Sequence, residues 1–177
     1  MSIKGVDYMD FYVIERDNRL HNPIKVSDII GFFDANISDE LEKDDFSAKS
    51  LFLNEAKDYE YVDFIFFDHS STILYKIYRN YLMISDKYKV IFSKYNQKIL
   101  FKPIALIDKS KSKHQLYWII KIEPSTKISL QERIIHICLK NENKFIVTLE
   151  VVESILRRSC LGVAFQKIEK GVYQDGE

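Results

Sequence analysis

The chain has 177 residues and a formal net charge of zero, because its 26 Lys and Arg balance its 26 Asp and Glu. This balance lacks the basic excess typical of nucleic-acid-binding domains, and a hydrophobic content of 46% argues against a disordered chain. No apolar run approaches the roughly 18–20 residues of a membrane span. The first residues show no signal-peptide pattern, and two cysteines make no disulfide framework. We therefore expect a single cytoplasmic domain over residues 1–177 that has no contact with a membrane.

The first elements in chain order are a strand and a short helix. Met9–Arg16 is rich in aromatic and β-branched residues and predicts the first strand. Ser27 is a candidate N-cap for a short helix that carries Ile29, Ile30 and Phe33.

Later segments predict a sheet. The apolar residues of Tyr59–Phe67 are nearly continuous, which favours a central strand covered on both faces. A short strand is expected within Ile73–Ile84. The residues of Leu116–Ile122 alternate in two sets: Leu116, Trp118, Ile120 and Ile122 on one face, and Tyr117, Ile119 and Lys121 on the other. This alternation predicts a strand with one face in the core and one partly exposed. The polar turn Asp108–Lys113 predicts an antiparallel hairpin, and Asn141–Lys144 predicts another tight turn.

Two segments, residues 82–104 and 145–168, share one pattern of strand, helix and strand. Each helix follows a hydroxyl residue, Ser85 or Thr148, which can cap its free amides. Gly162 lies where a C-cap or a turn is needed. The predicted apolar helix faces are Tyr88, Ile91, Phe92 and Tyr95 in the first unit, and Leu149, Val152, Ile155 and Leu156 in the second. Duplication and convergence both explain this similarity. The predicted class is α+β, with a mostly antiparallel sheet and a few helices packed on it.

The charges are segregated along the chain. Residues 34–63 hold ten acidic residues and three lysines, whereas residues 76–121 hold eleven basic residues and two acids. Either one of the two segments forms a partner site, or they face each other in the fold and cancel.

No catalytic pattern stands out. The glycine-rich phosphate loops and the ligand spacing of structural zinc sites are both absent from the sequence. His136 and Cys138 share one strand face, but that placement does not set them up for proton transfer. Asp68, His69 and Ser70 are consecutive and favour a turn over a triad. We therefore expect a non-enzyme without catalytic residues, cofactor or metal.

The basic stretch 76–113 leaves a second interpretation open. It interleaves Lys and Arg with tyrosines, a combination that nucleic-acid-binding surfaces use. Tyr88 and Tyr95, however, fall on the predicted apolar helix face. The alternative function is thus a nucleic-acid-binding accessory protein.

The order of segments is similar to that of a known family. An early "DFYVIER" strand is followed by a variable acidic stretch, "LMISDKYKVIFSKYNQKILFKPI", "YWIIKIE" and a closing "FIVTLEVVESILRRSCLGVAFQKIE". This resembles the immunity proteins of bacterial polymorphic-toxin systems, long carried as a domain of unknown function, over about Tyr61–Glu169. The residues that fit the ending are Thr148, Val152, Leu156, Gly162, Phe165 and Ile168.

The resemblance implies a protein that binds and neutralises a cognate bacterial toxin without catalysis or cofactor. For the contact we select carboxylates within the acidic segment, which would dock on a basic toxin surface. These predicted partner-binding residues are Asp39, Glu40, Glu42, Asp44 and Asp45. The toxin's identity and the oligomeric state stay open.

Overall fold

The structure is a computed structural model that describes residues 9–33, 50–54, 57–66, 82–139 and 142–169. These residues form ten strands and two α-helices. The strands are β1 (Phe11–Arg16), β2 (Ile29–Phe33), β3 (Ser50–Leu53), β4 (Phe64–Phe66), β5 (Leu82–Ser85), β6 (Leu100–Asp108), β7 (Lys113–Lys121), β8 (Ile134–Leu139), β9 (Glu142–Thr148) and β10 (Val163–Lys167). The helices are α1 (Asp86–Tyr95) and α2 (Leu149–Leu156). Neither helix is long and apolar enough to cross a membrane.

The strands form two sheets. The larger sheet has the order β2-β3-β6-β7-β5-β4, and the smaller has the order β10-β1-β9-β8. All named pairs are antiparallel except β3 with β6. The predicted α+β class with a mostly antiparallel arrangement is therefore confirmed, although the strands divide between two sheets.

The two similar sequence units adopt the same topology. In β5–α1–β6, a third strand, β7, lies between the two strands of the unit. In β9–α2–β10, the intervening strand is β1, which comes from the other end of the described chain. The strand before each unit, β4 or β8, pairs on its outer side. The two halves thus share one strand order with different chain connections.

Three apolar clusters cover the sheets. The largest lies where both sheets meet α1 and α2, and it includes Phe64, Tyr88 and Phe145. The second covers the opposite side of the larger sheet beneath residues 20–29 and 59–62. The third covers the outer side of the smaller sheet.

Two predictions in the first half of the chain are wrong in part. The strand expected over Tyr59–Phe67 is only β4, which lies at the end of the described sheet order and not at its centre. Phe64 and Ile65 are nonetheless buried in different clusters, so both faces are covered. Ser27 does not cap a helix over the following residues, because a single 3-10 turn at Val26–Asp28 leads directly into β2.

The first helix follows the prediction, and the second departs from it. Tyr88, Ile91 and Phe92 are buried on α1 as expected, with Tyr95 half-buried. On α2 the buried residues are Val151, Val152 and Ile155. The buried residues of α2 begin at Val151, three residues after the N-cap, and not at Leu149 as predicted. Leu149 and Leu156 are therefore exposed.

The hydroxyls of the two N-cap residues do not cap. Ser85 and Thr148 occupy the N-cap positions, but neither side chain bonds to its helix. Ser85 Oγ donates to Asp63 instead, and Thr148 Oγ1 is buried with no hydrogen-bond partner among the described residues. The predicted turn Asn141–Lys144 also differs, since β9 already begins at Glu142.

Asp63 connects the two sheets. It lies just before β4, and its carboxylate accepts hydrogen bonds from Ser85 Oγ at 2.7 Å and from the Leu161 amide at 2.9 Å. Lys87 Nζ lies 2.9 Å from the same carboxylate. The Asp63 amide donates to the Leu161 carbonyl at 2.8 Å. Because Leu161 leads into β10, this single residue fixes the entry to the smaller sheet against β4 and α1.

Gly162 follows Leu161 and is required there for two reasons. Its φ is +88°, and an added Cβ would lie 2.5 Å from Val62 Cβ. We expect Gly162→Ala to lower the free energy of unfolding by about 2–5 kcal/mol through left-handed strain and overpacking. Urea denaturation measures this change.

Ser159→Gly is the matched control for that substitution. Ser159 also has a positive φ, 51°, so glycine relieves strain there. The urea concentration at the unfolding midpoint of Ser159→Gly should equal or exceed that of the wild type. A Gly162→Ala protein as stable as the wild type would contradict the close approach to Val62.

Candidate interaction surface

One half of one side of the larger sheet is not covered by the described residues. On this side, α1 and the smaller sheet bury Phe64, Leu82 and Ile120, which belong to β4, β5 and the end of β7. Side chains alternate between the two sides of a strand, so the same side continues across the start of β7, then β6 and β3. There the residues remain half-buried or exposed.

We call this region the aromatic–lysine face. Strand pairing aligns its members in rows, such as Pro103 beside Trp118 and Ala105 beside Leu116. Phe52 extends the surface onto β3, where it pairs with Ile107. The face consists of Phe52, Phe101, Pro103, Ala105, Ile107, Leu116 and Trp118, with Lys89, Lys109 and His114 at its margin.

Trp118 is held in place from α1. Its indole Nε1 donates to Asp86 Oδ1 at 2.6 Å. One turn further along the helix, Lys89 Nζ lies 3.4 Å from the centre of the Trp118 ring and 5.7 Å from that of Phe101. The two rings meet edge to face with centroids 6.4 Å apart. Trp118 is therefore a fixed, partly exposed aromatic group with a cation on its ring.

A second lysine lies on the opposite margin. Lys109 Nζ is 4.5 Å from the centre of the Phe52 ring. Leu116, between the two aromatic ends, is 41% exposed. The surface thus has an aliphatic middle, aromatic ends and a cation at each end.

The acidic and basic segments pair in part. Lys87 bonds to Asp63, and Lys111 bonds to Asp58, so two lysines of the basic segment are matched by carboxylates of the acidic one. Lys113 Nζ lies 3.7 Å from the centre of the Tyr61 ring. Within the described residues, the second of the two alternatives, mutual cancellation, therefore holds for the pairs Asp58–Lys111 and Asp63–Lys87.

Asp108 anchors the hairpin next to these pairs. It is buried, and it accepts from Ser110 Oγ at 2.6 Å and from Tyr61 Oη at 3.3 Å. The Ser110 hydrogen bond contributes most to lowering the pKa of Asp108. Burial, and then the charge of Asp108, raise the pKa of Tyr61 to about 12. Asp108 is thus a structural carboxylate that stays ionised.

His136 is a structural histidine. It is fully buried and stacks on Phe145 at a centroid distance of 4.8 Å. Its Nδ1 lies 3.1 Å from the Ile122 carbonyl, and its Nε2 lies 3.3 Å from Asn143 Oδ1. Both ring nitrogens therefore face groups other than Cys138, and a neutral ring donates its one N–H to one of these two oxygens. Burial lowers the pKa of His136, so the neutral ring is favoured.

The two cysteines are free thiols. Burial raises the pKa of Cys160 to about 12, which keeps its thiol protonated. No set of three His, Cys, Asp or Glu side chains within the described ranges could hold a metal ion.

Several predicted residues lie outside the described residues. These are the partner-binding carboxylates Asp39, Glu40, Glu42, Asp44 and Asp45, and the Asp68–Ser70 triplet. The basic stretch is described from Leu82 onward. Comparison of the chain with protein-family models, curated proteins and solved structures found no match.

The sequence signal for the aromatic–lysine face was present but incomplete. The alternation in Leu116–Ile122 predicts two faces, yet both are apolar. The structure buries Tyr117 and Ile119 and leaves Leu116 and Trp118 partly exposed. Which face is covered depends on distant segments: residues 20–29 and 59–62 cover one side of the sheet, and α1 with the smaller sheet covers half of the other.

The buried His136 predicts a dependence of stability on pH. Its pKa is lower in the folded than in the unfolded protein, where it is about 6.5. The free energy of unfolding should therefore decrease as the pH falls below about 6.5, because the unfolded chain binds the proton more readily. Urea denaturation across this range measures the slope.

His136→Phe removes the titration and should flatten the slope just below pH 6.5. Equal slopes for the wild type and His136→Phe would contradict the role of His136.

Proposed function

We propose that the protein acts by binding another protein, as an immunity protein that neutralises a cognate bacterial toxin without catalysis. The observation that supports this best is the aromatic–lysine face. Half-buried aromatic groups beside the exposed Pro103 and Leu116, bordered by charges, match the anatomy of protein interfaces. The order of the chain segments, similar to that of immunity proteins, supports the toxin as the class of partner.

The test is capture of the partner followed by an assay of its toxicity. Tagged protein is recovered from its source cells, and bound proteins are identified by mass spectrometry. The proposal expects one partner near one-to-one stoichiometry, which stops growth when expressed alone and is harmless when this protein is co-expressed. A partner without toxicity, or none at all, would refute the immunity function.

The acidic contact predicted from the sequence adds a kinetic expectation. If Asp39, Glu40, Glu42, Asp44 and Asp45 steer association with a basic toxin, the association rate should fall about tenfold or more between low and high ionic strength. Stopped-flow mixing at several salt concentrations measures this rate.

Replacing the five carboxylates by Asn and Gln should abolish most of that salt dependence. Neutralising Glu150 and Glu153, which are exposed on α2, is the matched control and should preserve it. A rate that is indifferent to salt would exclude the acidic segment as the contact.

Binding of nucleic acid is the second candidate function. It is favoured by lysines that lie over rings, Lys89 on Trp118 and Lys109 on Phe52, within the stretch 76–113. This function predicts retention on heparin at moderate salt, reduced by Lys89→Gln together with Lys109→Gln. Elution of the wild-type protein without added salt would rule it out.

A further inference from the structure

We propose that the aromatic–lysine face is the docking site for an acidic protein surface with an apolar centre. This inference rests on the proposed function, and it concerns a part of the partner separate from the basic surface expected opposite the acidic segment. The partner's carboxylates would meet Lys89 and Lys109, and its apolar side chains would cover Leu116 and Trp118.

The first step concerns charge. Lys87, Lys98 and Lys111 are each paired with a carboxylate of the fold. Lys89 and Lys109 contact rings and have no carboxylate partner among the described residues. A lysine side chain held over a ring has already lost part of its conformational freedom. The further loss of conformational entropy when a carboxylate binds it is therefore smaller. Asp86 is the carboxylate at the Trp118 end, and its Oδ1 already accepts from the indole Nε1. The two lysines outnumber this one carboxylate, so the net charge on this face is complementary to an acidic surface.

The second step concerns shape and polarity. Pro103, Ala105 and Leu116 form an aliphatic strip between Trp118 and Phe52. Covering this strip removes apolar area from water, which is favourable at about 25 cal/mol per Å². Apolar side chains of a protein match such a strip, with charged groups at its border.

The third step separates a protein from a nucleic acid. Single-stranded nucleic acid binds where bases stack on free ring faces along a continuous positive groove. Here Lys89 already occupies one face of Trp118 at 3.4 Å. Lys102 lies beside Ile119, which faces the opposite side of the sheet, so it adds no charge to this face. Two separated lysines and an aliphatic middle favour the acidic protein surface.

Trp118 is the only tryptophan of the chain, so its fluorescence reports on this face directly. The probes are a short peptide alternating Glu with Leu, its charge-reversed counterpart alternating Lys with Leu, and oligo(dT). We expect a saturable change in emission with the Glu peptide, and none with the Lys peptide. Lys89→Gln and Leu116→Asn should each weaken binding of the Glu peptide about fivefold.

Lys102→Gln is the matched control and should bind like the wild type. Thermal unfolding of each variant confirms that it is folded. No response to the Glu peptide, or equal responses to both peptides, would overturn the inference. A response to oligo(dT) alone would assign the face to nucleic acid.

The docking site and the immunity function can fail independently, and the experiments distinguish the two failures. If no toxic partner is captured but the Glu peptide binds as described, the immunity function fails and the docking site stands. If a toxic partner is captured equally well by wild type and by a Lys89→Gln, Leu116→Asn double variant, the docking site fails alone.

Discussion

The carboxylate of Asp63 determines how the two sheets meet. A buried carboxylate is tolerated when donors satisfy its oxygens, and here they come from Ser85, Lys87 and Leu161. These three belong to the end of β5, the start of α1 and the turn before β10. Strand, helix and second sheet are therefore positioned by one group. The largest apolar cluster forms around this junction, and the uncovered half of the larger sheet is what α1 and the smaller sheet leave free.

The two strand–helix–strand units share a strand order, but only the first contributes a hydroxyl to the contact with Asp63. Ser85 and Thr148 occupy equivalent N-cap positions, yet only Ser85 has an acid opposite it. Thr148 Oγ1 has no hydrogen-bond partner in the part of the chain that the structure describes. The similarity between the halves therefore lies in apolar positions and topology, while the polar contact that joins the sheets is made by one half alone.

Local patterns predicted local structure well. The helix α1 and the β6–β7 hairpin follow from periodicity and from the polar turn at 108–113, because the interactions that define them are close in sequence. The place of β4 at the end of the sheet, and the burial of Val151 on α2, depend on contacts with distant strands. The aromatic–lysine face was beyond prediction for the same reason, since alternation in β7 defines two faces but not their cover. The carboxylates at 39–45 remain a prediction from composition.

The position of β1 has a consequence for how the protein is made. Its partners in the smaller sheet, β9 and β10, lie far along the chain from β1, so they are synthesised on the order of ten seconds after it at usual translation rates. During this interval an apolar strand has two unpaired edges, whereas β4 to β7 can already fold from neighbouring sequence. Pairing over such a separation is slow and open to aggregation. Expression yield should accordingly depend on how well chaperones shield the nascent β1 during this interval, and not only on the stability of the finished fold.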